Sequence, residues 1–315
     1  MSSAIFLGID LGTSGVRGSA IDAQGSELAI ARTALPRIQQ PSDWQQASFD
    51  VIRQLCDQVE SGLIQSIAID GTSGTVMLCD DTGEPCSPAL MYYDQSCTDE
   101  AEAINHHAPE DSAARGASSS LAKALYLLKN HDHAAHICHQ ADWIAGQLCG
   151  HFDISDENNC LKLGYDPVKR EWPKWLTGLG IDSTLLPRTY APGTTIAPVD
   201  KSIAQQLGMP AHCRLVAGTT DSIAAFIATG ACETGEAVTS LGSTLVLKLI
   251  SDKPVFSSRL GVYSHRLGDS WLAGGASNSG GKVLLKYFDQ ARMDEMTPLL
   301  EPGAPIGLDY YPLVQ

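Results

Sequence analysis

The stretch Ile5-Phe-Leu-Gly-Ile-Asp-Leu-Gly-Thr-Ser-Gly-Val-Arg-Gly18 decides the reading of this chain. Ile5, Leu7 and Ile9 fall on one face of a strand over residues 4–10. A small-residue turn follows, and a second strand resumes over 16–22. A Walker loop needs a lysine and opens a helix, whereas this turn has no lysine and joins two strands. A dinucleotide fingerprint also expects a following helix. What remains is a hairpin turn whose glycines bare backbone N–H groups beside two hydroxyls, Thr13 and Ser14. Such a concave set of donors binds phosphate without net positive charge. Asp10 beside it could hold Mg²⁺ through water, since Mg²⁺ keeps much of its hydration shell. The plainer alternative is an ordinary hairpin in which Asp10 caps the turn.

Outward from this hairpin, Asp22-Ala-Gln-Gly25 reads as a second tight turn and 27–33 as a third strand. Residues 44–63 carry apolar side chains at helical spacing. Strands are expected over 66–70 and 76–79, with Gly71-Thr-Ser-Gly74 between them. Helices are expected to dominate 119–150, and short helices with Pro/Gly turns 172–213. A strand over 213–218 leads into a helix starting near Asp221. Strands over 236–240 and 244–251 then flank Leu241-Gly-Ser243, and a third strand over 271–273 precedes Gly274-Gly-Ala-Ser-Asn-Ser-Gly-Gly281 and an amphipathic helix over 283–292. A hairpin with a small-residue turn therefore occurs twice, which reads as a duplicated architecture with a boundary near 230–236. The expected domains are 1–233 and 234–315.

Bulk properties narrow the class. With 315 residues, 43% hydrophobic and 18% charged, the chain reads as a folded α/β protein of two domains. A net charge of −15 argues against nucleic acid or an anionic membrane as the main partner. Nine cysteines with no Cys-x-x-Cys pair suggest neither a disulfide framework nor a zinc ribbon. No apolar run is long enough to span a bilayer and the N-terminus lacks a basic leader pattern, so the expected location is cytoplasmic.

Further candidates carry chemistry or imitate it. Asp221, in Thr219-Thr-Asp-Ser222, is either a helix N-cap or a general base at the mouth of a cleft. Gly242-Ser243-Thr244 is a second turn of the first kind, or a plain hairpin. The segment Gly274–Gly281, glycine-rich before a helix, could face a nucleotide phosphate. Asp70-Gly-Thr-Ser-Gly-Thr75 ends a buried strand, so its polar tip is expected to line a site. Asp81-Thr-Gly83 is the aspartic-protease triplet, but it occurs once and in a solvent turn. His131, His133, His136, Cys138 and His139 crowd one helical stretch with spacing that matches no standard zinc motif.

Taken together, the motifs resemble a known family. Asp10-Leu-Gly-Thr-Ser-Gly15, Asp70-Gly-Thr-Ser-Gly-Thr75, Tyr92-Tyr-Asp-Gln95, Gln140-Ala-Asp-Trp-Ile144 with Leu148-Cys-Gly150, Ala191-Pro-Gly193, Gly218-Thr-Thr-Asp221 and Ser240-Leu-Gly-Ser-Thr244 occur in the order seen in FGGY-type carbohydrate kinases. The pattern is most similar to the ribulokinase/xylulokinase-like branch of cyanobacterial and plant D-ribulose kinases. The resemblance implies an actin-like, ribonuclease-H-type α/β fold of two domains, with ATP and sugar in the cleft between them. It implies that Gly12, Thr13 and Ser14, and on the other side Gly242, Ser243 and Thr244, grip the ATP phosphates. Asp221 takes the position of the catalytic base, and Asp10 stands by the metal and the sugar. Ser73 and Asp94 match sugar-side positions. The implied activity is ATP- and Mg²⁺-dependent phosphorylation of a ketopentose, D-ribulose first and D-xylulose second, by a monomer or homodimer.

The resemblance also implies a longer second domain. Roughly a quarter of the expected length lies beyond Gln315, including the segment that forms the adenine pocket. The C-terminal part of the second domain is thus expected to be missing, and with it tight ATP binding. Two other classes stay open. One is a sugar-binding or regulatory protein without kinase activity, and the other is an actin-like ATPase or filament module sharing the phosphate turns.

Overall fold

The computed structural model describes residues 4–242, 244–277, 279–301, 303–304 and 307. Strands β1 (Ile5–Leu11), β2 (Gly15–Asp22) and β3 (Glu27–Ala34) form an antiparallel meander, and helix α1 (Pro41–Gln58) crosses back so that β4 (Ile64–Gly71) pairs parallel with β1. β5 (Val76–Cys79) leaves this sheet. After α2 (Thr98–His107) and α3 (Ser120–Leu128) it pairs antiparallel with β6 (His136–His139), which runs into α4 (Gln140–Cys149). β7 (Ile154–Asp156) precedes the single turn α5 (Glu157–Cys160) and pairs parallel with β8 (Arg188–Tyr190). β9 (Thr195–Pro198), α6 (Lys201–Leu207) and β10 (Arg214–Val216) return to the main sheet. The short β11 (Thr219–Thr220) lies on the end of β4 and delivers α7 (Asp221–Ile227). The main sheet has the order β3-β2-β1-β4-β10-β9, with β11 on β4. A separate antiparallel sheet follows, β12 (Ala237–Leu241), β13 (Leu245–Ser251), β14 (Tyr263–Leu267) and β15 (Ser270–Ser277), in the order β12-β13-β15-β14, and then α8 (Gln290–Met296).

Apolar periodicity explains the core. In β1, Ile5, Leu7, Ile9 and Leu11 are all buried beneath α1, whose Trp44, Val51, Ile52 and Leu55 are fully buried. Pro41 opens α1, where its missing N–H costs nothing, and Trp44 Nε1 donates to the Ile38 carbonyl at 2.8 Å. Each such aliphatic contributes about 1.5–3 kcal/mol on burial. Gly18 lets α1 approach β2: a Cβ there would stand 2.5 Å from Val51 Cγ1. A second core joins α2, α3, β5 and β6. The two sheets meet through a small cluster of Ile223 and Phe226 from α7 with Ile250 and Leu272. All nine cysteines are free thiols, and only Cys232, between α7 and β12, is exposed.

Several expectations are corrected. The helix expected over 44–63 runs from Pro41 to Gln58 and is followed by a short 3₁₀ turn. The histidine-rich stretch is not helical, because β6 occupies residues 136–139 in the middle of 119–150. The four residues of β6, His136-Ile-Cys-His139, carry no alternation, the last three being buried in a row. The glycines at 274 and 275 lie within β15, which extends to Ser277, so they do not form a loop. The helix expected over 283–292 is divided into a 3₁₀ turn, Gly281–Lys286, and α8. β8, β9 and β14 were not anticipated, since at three to five residues each they are too short to show a readable alternation. The motif-like ending Tyr310-Tyr-Pro-Leu313 lies outside the described residues.

Candidate active site

Sheet register gathers the site. Asp10 and Asp70 are Cα partners on the parallel strands β1 and β4, and Thr219 partners Asp70 from the other side. Two residues on, Asp221 opens α7. Three carboxylates from three separate motifs therefore stand at the C-terminal ends of adjacent strands, where ligands bind in open α/β sheets. Asp10 lies opposite Arg17 in the β1–β2 hairpin. At the tip, Gly12 N–H donates to the Gly15 carbonyl at 3.1 Å, leaving Thr13 and Ser14 outermost.

Asp10, Gly12, Thr13, Ser14, Arg17 and Asp221 line one cavity of about 440 Å³, with Asp70 beside Asp10 and outside its wall. Thr72 and Tyr92 also line it. The electrostatics are those of crowded acids. Burial pushes the Asp70 carboxyl up to about 8, helped by the negative charges of Asp10 and Asp221. Burial also raises Asp10, against the pull of Arg17. Asp221 is raised by burial too, while the Ser222 N–H, 2.6 Å from its Oδ1, works the other way. Asp70 Oδ1 is buried with no hydrogen-bond partner.

Two sets of contacts join the second sheet to the residues that flank Asp221. Lys248 of β13 donates from Nζ to the Ser222 carbonyl at 2.5 Å, and burial pushes its ammonium down to about 8. Asn158 donates to both Thr219 Oγ1, at 3.0 Å, and the Arg266 carbonyl, at 3.1 Å. It accepts the Arg266 N–H at 3.0 Å. The residue two positions before Asp221 is thereby tied to β14.

The sequence candidates divide. Asp10, Gly12, Thr13, Ser14 and Asp221 come together, whereas Ser73 and Asp94 stand outside the cavity wall, each next to a loop that forms it. Asp94 is occupied in its own turn: its Oδ1 accepts Ser96 Oγ at 2.7 Å and Ser96 N at 2.9 Å, and these bonds lower its pKa. The second turn is closed by Gly242 N–H to the Thr244 carbonyl at 3.0 Å, and the Gly242 carbonyl accepts the Gly281 N–H at 2.7 Å. Gly242 and Thr244 do not line the cavity, and Ser243 lies outside the described residues. Arg17, Thr72 and Lys248 were missed. Arg17 was recoverable, because a hairpin turning at residues 12–14 pairs 17 with 10.

The decoys resolve without a ligand. Asp81-Thr-Gly83 sits in a turn organised by Asp80, whose Oδ1 accepts the Thr82 and Glu84 N–H groups. His139 hydrogen-bonds Asp142 at 2.6 Å and Ser120 at 3.2 Å, an arrangement of hydrolase type. All three are buried, so it is a brace between α3 and α4. Among the described residues no group of three or more His, Cys, Asp or Glu side chains is arranged to hold a metal ion, and no helix is long and apolar enough to cross a membrane.

Comparison with known proteins accords with this geometry. The xylulose kinase of Escherichia coli strain K12 is 25% identical over 291 residues, covering 85% of this chain and 59% of that protein. The L-fuculokinase of the same organism is 28% identical over 313 residues, covering 87% and 65%. The chain thus spans about three fifths of the length of these relatives. The crystal structure of gluconate kinase from Lactobacillus acidophilus superposes with a TM-score of 0.85 at 18% identity, over 97% of this chain and 67% of that one. At that identity the likeness shows the fold, the actin-like ATPase fold. The profile of the FGGY family of carbohydrate kinases, N-terminal domain, matches residues 5–228, and the chain belongs to the FGGY family of carbohydrate kinases.

Proposed function

We propose that this chain takes part in ATP-dependent phosphorylation of a ketopentose, D-ribulose first and D-xylulose second. One observation carries the reading: Asp221 and the Gly12–Ser14 turn face a single cavity, so an acceptor hydroxyl and a phosphate can meet there. Asp221 accepts the proton of the sugar hydroxyl as that oxygen attacks the terminal phosphorus of ATP, and ADP leaves. Its raised pKa suits a base, since the proton is then held more firmly once taken. The turn amides, Thr13, Ser14 and Arg17 hold phosphate oxygens, and Gly242, Ser243 and Thr244 are assigned to the opposite side of the nucleotide. Ser73 and Asp94 are assigned to the sugar-side loops. The division into a sugar-binding domain, 1–233, and a nucleotide-binding domain, 234–315, belongs to the same reading.

The donor set fits Mg²⁺. Asp10 adjoins Asp70, whose Oδ1 lacks a partner, and an ion that takes one or two carboxylates and otherwise water or phosphate needs no third ligand. Bound there, the ion would screen the triphosphate charge. Similarity to proteins named xylulose kinase and L-fuculokinase supports a sugar acceptor.

A second reading, a sugar-binding or regulatory protein without kinase activity, is favoured by the position of Gly242 and Thr244 outside the cavity wall. An ADP-release assay over a panel of ketopentoses decides. Sugar-dependent turnover that falls about a thousandfold in Asp221→Ala supports the kinase. Calorimetric sugar binding without turnover supports the second reading, and an Asp221→Ala variant as fast as the unmutated chain removes the base.

A further inference from the structure

Lys123 is a buried cation for which the proposed chemistry has no use. It is 0% exposed, within α3, and forms no ion pair among the described residues. Its Nζ donates to two main-chain carbonyls, Gly74 at 2.9 Å and Met91 at 2.6 Å. Those carbonyls belong to separate segments. Gly74 follows Ser73 in the β4–β5 connection, and Met91 precedes Tyr92 in the loop that carries Asp94.

Other bonds knit the same two segments. Tyr92 N–H donates to Thr75 Oγ1 at 3.0 Å, Thr75 Oγ1 meets Thr72 Oγ1 at 2.6 Å, and Thr72 Oγ1 donates to Gln140 Oε1 at 2.7 Å. Thr72 and Tyr92 line the cavity that the Gly12–Ser14 turn also lines. The lysine thus sits behind a composite wall and holds both halves of it.

Its cost argues that this is its purpose. Burial pushes the ammonium down to about 8, and the charge of Asp94 only partly opposes that. A methionine or leucine would fill the space without a desolvated charge. What an apolar residue cannot do is bond two carbonyls at once.

We propose that Lys123 is a positioning residue for the acceptor, clamping the Ser73 turn and the Tyr92–Asp94 loop into one wall whose shape selects the sugar. This rests on the kinase reading above. Lys123 touches neither sugar nor nucleotide, and acts through the carbonyls it holds.

The test compares the unmutated chain with Lys123→Met, which keeps the stem and removes the donors. Hydrogen exchange reads the clamp, and calorimetric titration with D-ribulose, D-xylulose and Mg-ADP reads the site. In Lys123→Met the amides of 72–76 and 90–94 should exchange about tenfold faster, and ketose affinity should fall about tenfold. Mg-ADP affinity should stay within about twofold. The preference between the two ketoses should also shrink. Unchanged exchange, unchanged ketose affinity, or equal losses for ketose and nucleotide overturn the proposal, the last because it marks a purely structural role. Should Lys123→Met fail to fold, Thr75→Val, which deletes the acceptor for Tyr92 N–H, decides by the same split. If the unmutated chain binds no ketose, the kinase reading itself fails and takes this proposal with it. If it binds ketose and the variants bind as well, this proposal alone fails.

Discussion

Replacing Asp70 by Asn keeps the side chain's shape and removes its charge. The carboxyl stands at about 8 in the folded chain against 3.8 for an ordinary aspartic acid, through burial and the charges of Asp10 and Asp221. Below the lower value both folded and unfolded chains are protonated, and Asp70 costs nothing. Between the two values the folded chain keeps a proton that the unfolded chain has released, so stability falls as pH rises, by about 1.4 kcal/mol per pH unit. Above the upper value both are ionised and the full cost is present. Asparagine has no proton to hold. The stability advantage of Asp70→Asn should therefore grow by about 3 kcal/mol between about pH 5 and pH 7, and level off above about pH 8. Urea unfolding at several pH values in the presence of a chelator, with equal m-values required, measures the difference. A difference that stays constant across this range would refute the reasoning, because it would mean Asp70 ionises in the folded chain as it does in the unfolded one.

Two other substitutions probe the frame. In Gly218→Ala the new Cβ would stand 1.7 Å from the Ile69 carbonyl oxygen, a main-chain atom of β4 that cannot retreat without breaking the sheet. A stability loss of about 3 kcal/mol is expected in denaturant melts, and a loss near zero would show that the β10–β11 connection does not lie so close to β4. Lys248→Met removes the donor to the Ser222 carbonyl and a positive charge that holds Asp221 down. It should cost about 1.5 kcal/mol of stability, and the acid limb of the pH–rate profile should move to higher pH if Asp221 is the base.

The sequence was most legible where chemistry and regular spacing coincide. The first hairpin declared itself through alternating Ile5, Leu7 and Ile9 and a turn of small residues. The helix start near Asp221 was legible too, although Asp221 is its first residue and not its cap, which is Thr220 with no side-chain bond. The meeting of Asp10 with Asp221 followed from motif order, by resemblance, and the sheet register supplies its physical cause. Register is also what sequence conceals. Asp70 reads in sequence only as a strand tip, although its place between Asp10 and Thr219 makes it the most strongly raised of the three clustered carboxyls. Lys123 was invisible for the same reason. A lysine in an apolar helix reads as solvent-facing until two distant carbonyls, 49 and 32 residues away, are found to converge on it. Short strands such as β6 and β8 draw their stability from partners and not from their own pattern, so three or four residues offer too little periodicity to read.

The cysteine distribution has a practical use. Eight of the nine thiols are buried or half-buried, and burial raises the half-buried pair, Cys86 and Cys149, so that their reactive thiolate forms are scarce. Cys232 alone is open to reagents, and it lies in the joint between α7, which carries Asp221, and the first strand of the second sheet. A maleimide dye or nitroxide label added briefly at neutral pH would attach there without any engineered cysteine or deletion of native ones. The unmodified polypeptide thus comes with a single spectroscopic address at the place where movement of one sheet against the other would be felt.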